Sequence, residues 1–390
     1  IGSFCNRENY FKDNWNKSFF ICGIFILLST IFQYFILENP NPGIWDPSLS
    51  IIGLTNWLPF FWLFWGLQPY LDNKYKRRNL GLILISSSFP VIFSGFGQYF
   101  FNWTGPFELF NGLIVWYQKS TESTRGLSGL FSNQNYAGCW LNFIWPFCLA
   151  FVLEKNQVFF KKTIAYSFLI SIGLATFLTT SRSALGGLLI SLPIVIGSES
   201  LIWIIPLLLF FILFIFYIVS PFFSGDLQNF FREFVDKDFW VRFSSEEYGQ
   251  YDWHHHRIGI MLNALKYSFI RPLIGVGAAS FPIIYEIQTN IWKGHPHNLI
   301  LELSVSYGIP SAVILSSTVL ILLVMSGRIV FNSQKHQKYL NLYDRAIWAS
   351  IFFFLVSQLV DVQYFDGKIS ILAWILLTCL KKIVDEKEFR

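Results

Sequence analysis

Long apolar runs separated by short polar segments occupy most of the chain. A helix needs about 20 apolar residues to cross a bilayer. Ten runs come close to that length: 18–37, 50–71, 80–97, 136–153, 163–180, 183–197, 201–220, 308–328, 345–361 and 368–382. The stretch 98–118 is apolar enough for an interfacial or re-entrant segment. The pattern therefore predicts an all-α, polytopic membrane bundle of about ten spans.

The composition agrees with a membrane protein. Of the 390 residues, 53% are hydrophobic and only 14% are charged, whereas a soluble domain carries about 25% charged residues. The 44 phenylalanines and 15 tryptophans suit lipid-facing surfaces and interfacial belts. The net charge of +5 lies in short loops, which favours the lipid bilayer over nucleic acid as a partner. The five cysteines lack the spacing of a metal site or a disulfide framework.

Basic residues cluster in alternate loops between the predicted spans. They lie at 74–78, 155–162, 328–345 and 381–382. With the N-terminus inside, all of these loops fall on the cytoplasmic side, as the positive-inside rule requires. The same topology places the loop 98–135, the segment 221–295 and the turn 361–367 outside.

The segment 221–295 is mixed in character and predicts an external, partly helical cap. Residues 257–270 have the pattern of an amphipathic helix that ends at Arg271-Pro272. Since no internal repeat divides the chain, residues 1–390 are predicted to form a single membrane domain that includes this cap. The chain begins at Ile1, so we expect an N-terminal piece to be missing, and no cleavable signal peptide is evident.

Four polar features fall on the predicted external side. They are Gly129–Asn135 with Arg125 upstream, Thr179–Ser183, Arg257 with Arg271–Gly277 after it, and His295–Asn298 with Glu302 and Gly308–Pro310 after it. Ionisable groups beside membrane spans are expensive and tend to mark functional sites. These four features are therefore the candidates for chemistry.

Arg182 allows two interpretations. Inserting an arginine at the centre of a span costs roughly 2.5–3.5 kcal/mol, but near the end of a span the side chain snorkels to the interface. Alternatively, Arg182 is an anion clamp, because a guanidinium holds phosphate oxygens bidentately and keeps its charge. The sequence leaves both open.

His297 likewise allows two interpretations, a helix cap or a general base. A histidine suits the role of a general base because it ordinarily titrates at about pH 6.5. The triple histidine 254–256 suggests a metal, but consecutive residues do not easily converge on one ion. We predict neither a metal site nor a cofactor.

Acidic residues give weaker signals. Asp236-Lys237-Asp238 has the Asp-x-Asp form that holds a divalent ion in sugar-nucleotide transferases, although a solvated turn explains it equally well. Asp361 and Asp366 bracket an external turn and are interpreted as topology-setting or gate residues.

Taken together, these residues resemble the O-antigen ligase and O-antigen polymerase family of bacterial membrane glycosyltransferases. The matching elements span roughly residues 120–385. In order, they are Gly129…Phe131…Asn135, Thr180-Ser181-Arg182, Arg257 with Pro272-Leu-Ile-Gly275-Val-Gly277, His297-Asn298-Leu…Glu302…Gly308-Ile309-Pro310, and Val360-Asp361…Phe365-Asp366. Each motif alone is weak, whereas their order and shared external face make the set specific.

The resemblance implies a bacterial inner-membrane enzyme whose active site faces the periplasm. Such an enzyme moves a glycan from an undecaprenyl-diphosphate carrier to an acceptor hydroxyl, with inversion and without a metal. The acceptor is a lipid A-core sugar for a ligase and a growing glycan for a polymerase. By this resemblance, Arg182 and Arg257 hold the diphosphate, His297 deprotonates the acceptor, and Arg125 and Lys293 assist substrate binding.

Two departures leave alternatives open. The family often has about twelve spans, and Pro310-Ser311 replaces the usual glycine after the Gly-Ile pair. The Asp361…Asp366 signature also resembles a related cyanobacterial branch linked to inorganic-carbon transport, so a transporter of a small anion such as bicarbonate is the alternative function. A third reading is a different polyprenyl-phosphate-sugar transferase with Glu38 or Asp46 as its catalytic acid.

Overall fold

The computed structural model describes residues 2, 10–36, 45–155, 157–220, 225–234, 253–332 and 341–388. Within these ranges the α-helices are α1 (Asn14–Ile31), α2 (Ser48–Leu54), α3 (Leu58–Gly66), α4 (Lys74–Ser87), α5 (Phe89–Phe101), α6 (Thr121–Thr124), α7 (Gln134–Leu153), α8 (Phe159–Leu178), α9 (Arg182–Ile196), α10 (Leu201–Val219), α11 (Asp226–Phe234), α12 (Arg257–Ser268), α13 (Ser280–Thr289), α14 (Leu299–Tyr307), α15 (Ile309–Phe331), α16 (Leu342–Ser357) and α17 (Gly367–Glu388). The predicted all-α, membrane-type fold is confirmed.

A helix lies in each of the ten predicted apolar runs, but only part of the set is long and apolar enough to cross a membrane. Among the described residues, seven helical segments meet that standard: Asn14–Phe35, Ser48–Gly66, Lys74–Phe101, Gln134–Leu153, Phe159–Leu178, Leu201–Ile218 and Ile309–Phe331. Helices α9 and α16 have 15 and 16 residues, and α17 carries several charged side chains in its second half. The span count of ten therefore stays a prediction.

Proline starts new helices inside two of the predicted runs. Pro59 lies in the first turn of α3 and Pro90 in the first turn of α5. Proline fits the first turn of a helix because the amide hydrogen that it lacks has no helical partner there. The runs 50–71 and 80–97 are consequently each made of two consecutive helices.

Helix α7 forms the centre of the bundle and packs against α8, α9 and α16. Most of its side chains are buried. The amide of Asn142 donates hydrogen bonds to the carbonyls of Gly138 (3.0 Å) and Ala184 (2.9 Å), which ties α7 to α9. Such polar contacts hold helices together in an apolar surrounding. The N-termini of α7 and α9 are thereby fixed side by side.

The only departure from the all-α prediction within the described ranges is a short hairpin after α5. Its strands are β1 (Phe107–Leu109) and β2 (Ile114–Trp116), paired antiparallel. Asn111-Gly112 at the turn has positive φ angles of 55° and 86°, as a tight hairpin requires. The predicted interfacial or re-entrant segment 98–118 is thus the end of a helix followed by this hairpin.

Gln98 of α5 anchors the segment that leads from the hairpin towards α7. Its side-chain oxygen accepts hydrogen bonds from the backbone amides of Ser128 (2.8 Å) and Gly129 (2.9 Å). Its amide group donates to the carbonyl of Lys119 at 2.8 Å. A buried polar side chain with all these partners fixes the backbone around it. The loop that carries Arg125 is therefore held from both sides.

Candidate functional site

A cavity of about 760 Å³ lies at one end of the bundle. Its lining comes from five separate parts of the chain: Arg125, Gln134 with Asn135, residues 180–183, residues 255–258, and Val360 with Asp361. We call it the arginine cavity, because Arg125, Arg182 and Arg257 all line it. Asp361 is the one carboxylate among the described residues of the lining, so the wall carries an excess of positive charge.

The turn before α9 holds Arg125 and Arg182 next to each other. The hydroxyl of Thr180 donates to the carbonyl of Arg125 at 2.8 Å, and the amide of Leu127 donates to the carbonyl of Leu178 at 2.8 Å. A Cβ atom at Gly126 would lie 2.5 Å from the carbonyl oxygen of Thr179, so only glycine allows the two segments to approach this closely. Arg182 is the first residue of α9, and its exposed side chain opens onto the cavity.

Three helices begin at the arginine cavity. Gln134 is the first residue of α7, Arg182 of α9 and Arg257 of α12, and all three line the cavity. The first turn of a helix has free amide hydrogens and a partial positive charge. The helix starts add to the field of the arginines, and the combination suits an anion such as phosphate or diphosphate.

His297 and Asp361 form a hydrogen-bonded pair at the edge of the cavity. The Nδ1 atom of His297 lies 3.1 Å from Oδ1 of Asp361. His295 Nε2 lies 3.6 Å from the same oxygen. The amide groups of Asn135 and Gln363 donate to Oδ2, each at 3.2 Å. Asp361 is therefore held on both oxygens and cannot easily turn away from His297.

Backbone contacts set the geometry of this pair. Asn298 caps α14 by accepting from the amide of Leu301 (3.1 Å), and its amide group donates to the carbonyl of Leu359 (3.2 Å). The amide of Leu299 donates to the carbonyl of Gln358 at 2.9 Å. His297 itself has a φ of 56°, in the left-handed region that non-glycine residues rarely adopt. The turn after α16 and the start of α14 are locked together around this unusual residue.

The charge state of Asp361 determines the tautomer of His297. Burial alone would raise the pKa of Asp361, but the hydrogen bond from His297 and nearby cationic groups, Arg257 among them, lower it overall. An ionised carboxylate only accepts hydrogen bonds, so Nδ1 of His297 must carry the proton that it shares with Asp361. The lone pair of a neutral His297 then lies on Nε2, where it can accept a proton from a substrate.

The surroundings of His295 favour its neutral form. Burial is the largest cause that lowers the pKa of His295, to about 4, and the positive charges of His297 and Arg257 lower it further while Asp361 opposes them. At neutral pH the ring of His295 is therefore uncharged. It can accept or donate a hydrogen bond but adds no charge to the cavity wall.

The same three side chains could also coordinate a metal ion. One atom each of His295, His297 and Asp361 lies within 4.8 Å of the others, and two histidines with a carboxylate are a common ligand set for zinc and related metals. The triple histidine has a different environment: Nδ1 of His254 lies 3.4 Å from the amide group of Asn263, while His255 and His256 line the arginine cavity.

The remaining sequence candidates lie elsewhere. Lys293 is partly exposed just before His295 and does not belong to the lining of the arginine cavity. Asp366 caps α17 by accepting from the amide of Lys368 at 3.0 Å. Asp46 accepts from the amide of Ser48 at 2.9 Å at the start of α2, which makes it a local cap. Glu38, Asp236 and Asp238 lie outside the described residues, as do parts of the predicted cap.

Comparison with known proteins agrees with the motifs. A family model described as O-antigen ligase matches residues 166–316. The matched region includes Arg182, Arg257, Lys293 and His297, while Arg125 and Asp361 lie outside it. No curated protein matches the chain.

The match and the apolar helices together describe a multi-pass membrane protein with an O-antigen ligase domain, which implies an enzyme of the membrane glycosyltransferase type. Residues 166–316 of the chain are thus similar to the O-antigen ligase family, which supports the resemblance drawn from the motifs.

Proposed function

We propose that this protein transfers an oligosaccharide or polysaccharide from an undecaprenyl-diphosphate carrier to a sugar hydroxyl of an acceptor. The acceptor is a lipid A-core sugar or a growing glycan, and the reaction takes place at the periplasmic face of the bacterial inner membrane. The observation that carries the proposal is the arginine cavity, where three arginines and three helix starts meet beside an aspartate-bound histidine.

The diphosphate of the donor binds in the arginine cavity. Arg182 and Arg257 contact its oxygens, and Arg125, on the same wall, adds a third positive charge. As the glycosidic bond breaks, negative charge grows on the leaving diphosphate. Cations that are fixed in advance stabilise this charge more in the transition state than in the bound substrate. Lys293, near the mouth of the site, assists the approach of the anionic donor.

His297 is the general base. The acceptor oxygen attacks the anomeric carbon and gives its proton to Nε2 of His297, while the bond from that carbon to the diphosphate oxygen breaks and its electron pair leaves with the diphosphate. A single displacement of this kind inverts the configuration at the anomeric carbon. Asp361 holds the ring in position and stabilises the imidazolium that forms, as the aspartate of a catalytic triad does. No step requires a metal.

The orientation follows from the charges at the two ends of the bundle. Asp361, in the lining of the arginine cavity, comes shortly after the last residue of α16, whereas the basic residues at the start of α4 lie at the opposite end of α16, where Arg77 pairs with Asp344. By the positive-inside rule that end is cytoplasmic, so the cavity faces the periplasm. The donor carries its lipid in the membrane, and a site at the membrane surface meets its diphosphate at the right depth.

A transfer assay in proteoliposomes tests the proposal. It uses an undecaprenyl-diphosphate oligosaccharide, a panel of lipid A-core and glycan acceptors, and excess chelator. We expect wild-type protein and Arg328→Ala to transfer glycan, since Arg328 is an exposed arginine at the far end of α15. Arg182→Ala and His297→Ala should lose transfer. General-base catalysis contributes about 10²- to 10⁴-fold to the rate. The kcat of His297→Ala should therefore fall by about 10²-fold or more.

Three results would speak against the proposal in different ways. Loss of activity in chelator, restored by zinc, would make His295, His297 and Asp361 a metal site and overturn the base mechanism. Full activity of His297→Ala would remove His297 from the chemistry. If the folded protein neither bound the donor nor transferred glycan, but moved bicarbonate across the membrane, the transport reading would replace the transferase.

A further inference from the structure

A second cavity, of about 380 Å³, lies beside His295. We call it the glutamate cavity, because Glu302 lines it. It adjoins the arginine cavity at two places along the chain. Asn135 lines the arginine cavity, and the next residue, Tyr136, lines the glutamate cavity. Likewise, Asp361 lines the arginine cavity and Val362 lines the glutamate cavity. His295 lines the glutamate cavity and Asp361 lines the arginine cavity, so the His295–His297–Asp361 cluster has a member in each lining.

Glu302, which lines this second cavity, carries a buried polar atom without a partner among the described residues. The residue is only 6% exposed. Its Oε1 atom accepts a hydrogen bond from the hydroxyl of Ser306 at 3.0 Å, whereas Oε2 is buried with no hydrogen-bond partner among the described residues. Buried polar atoms are nearly always paired. Since Glu302 lines the cavity, a ligand hydroxyl or amide bound there is the partner that this carboxyl group lacks.

The rest of the lining indicates the chemistry of that ligand. Four aromatic side chains take part, namely Trp57, Tyr136, Tyr307 and Phe365, together with the polar residues Asn56, Ser306 and His295. Flat apolar rings beside a few placed hydrogen-bonding groups suit a sugar, which has an apolar C–H face and an edge of hydroxyls. The carboxyl group disfavours a phosphate, so this cavity does not duplicate the donor site.

We propose that the glutamate cavity is the subsite for the acceptor sugar, with Oε2 of Glu302 accepting a hydrogen bond from one of its hydroxyls. This inference rests on the proposed transferase function and deepens it. The donor diphosphate then lies on the Asp361 side of the cluster and the acceptor sugar on the His295 side, so the two reacting groups meet at the cluster that contains His297. A volume of about 380 Å³ is at the small end of ligand sites. The cavity therefore binds only the terminal sugars of the acceptor.

The state of Glu302 is consistent with this role. Burial raises the pKa of Glu302 to about 7, while the hydrogen bond from Ser306 opposes the rise. At neutral pH both forms of the carboxyl are present, and a bound hydroxyl can pair with either. Glu302 does not reach the reacting atoms in this arrangement, so it is a residue for acceptor specificity and not a catalytic residue.

The test measures steady-state kinetics with donor and acceptor varied separately. We expect Glu302→Leu to raise the KM for the acceptor by about 10- to 100-fold, the range for loss of a hydrogen bond to a charged group, with the Kd for the undecaprenyl-diphosphate donor unchanged. Glu302→Gln, which keeps the shape and one acceptor oxygen, should lose less. Glu286→Leu is the matched control, because Glu286 is an exposed glutamate on α13.

A second variant fills the cavity without touching Glu302. A Cβ atom at Gly294 would meet no heavy atom within 4 Å, and Gly294 lines the glutamate cavity. Gly294→Leu should therefore fold and raise the acceptor KM while the donor Kd stays the same. An unchanged acceptor KM in both variants would overturn the inference, as would an equal weakening of donor and acceptor.

Direct binding separates this inference from the transferase proposal. Methyl glycosides of hexoses and N-acetylhexosamines are titrated without donor, and the fluorescence of Trp57 and the other tryptophans reports binding. Saccharide binding that is lost in Glu302→Leu supports the subsite even if no transfer is ever seen. If the protein transfers glycan but the acceptor KM is the same in wild type and in Glu302→Leu, the transferase proposal stands and the acceptor subsite is wrong.

Discussion

Arginines lie at both ends of this bundle, but their surroundings differ. At the end with the basic loops, Arg77 is 1% exposed and binds Asp344 and Glu386, each at 2.7 Å. At the other end, Arg125, Arg182 and Arg257 are exposed around a cavity in whose described lining Asp361 is the only carboxylate. Cations matched by carboxylates hold helices together, whereas cations that outnumber the carboxylates around a cavity favour an anionic substrate. The difference predicts which end governs stability and which governs activity.

The largest expected effect is on stability, at Arg77. Removing one partner of a buried ion pair costs about 3–5 kcal/mol, because the remaining charges stay buried. Arg77→Ala should therefore unfold at a clearly lower temperature in detergent than wild type. The adjacent Arg78 is the matched control: it pairs with Glu154 at 2.7 Å but is 37% exposed. Exposed pairs contribute about 0–1 kcal/mol, so Arg78→Ala should unfold close to wild type. Equal shifts of the unfolding temperature in the two variants would show that the buried pairs of Arg77 contribute no more to stability than the exposed pair of Arg78.

The next effect is on activity, at the arginine cavity. Removing one preorganised group that stabilises charge typically costs about 10²–10³ in rate, so Arg257→Ala should lose kcat/KM for the donor on that scale. Its unfolding temperature should match that of wild type, because the side chain is exposed. Arg257→Lys should recover only part of the activity, since an ammonium keeps the charge but loses bidentate geometry. A large loss of stability in Arg257→Ala would mean that this arginine holds the fold instead.

Much of this arrangement could be predicted from the sequence. The apolar runs located the helices because a lipid-facing helix must be apolar over most of its length. The motifs selected Arg125, Arg182 and Arg257, which the fold brings around one cavity. The polar character of residues 295–298 pointed to His297. Each of these signals comes from residues that are close together in the chain, so it can be recognised without knowledge of the fold.

What the sequence did not give depends on distant parts of the chain. Asp361 was interpreted as a topology or gate residue, because nothing near it reveals that His297, 64 positions away, bonds to it. The meeting of three helix starts likewise requires the packing of α7, α9 and α12. The hairpin was missed for a different reason. Its turn signal, Asn111-Gly112 between apolar residues, was present in the sequence, but the apolar content suggested a membrane-associated helix or loop.

The smallest effect concerns the pH dependence of stability, at His295, whose partner Asp361 lines the arginine cavity. Burial and the charges of His297 and Arg257 lower the pKa of His295 to about 4, while an unfolded histidine titrates at about 6.5. The folded state therefore favours the neutral ring. This contribution to stability is complete above pH 6.5 and is lost as the pH falls towards 4.

Between pH 7.5 and pH 5, wild type should lose about 2 kcal/mol through this group, and His295→Gln should lose that much less. Thermal unfolding of both proteins across this range gives the difference directly, because all other titrating groups are shared. Asp361 does not interfere, since its lowered pKa lies below the window. If His295→Gln followed the wild-type curve, burial and the neighbouring charges would not hold the ring of His295 neutral in the folded state.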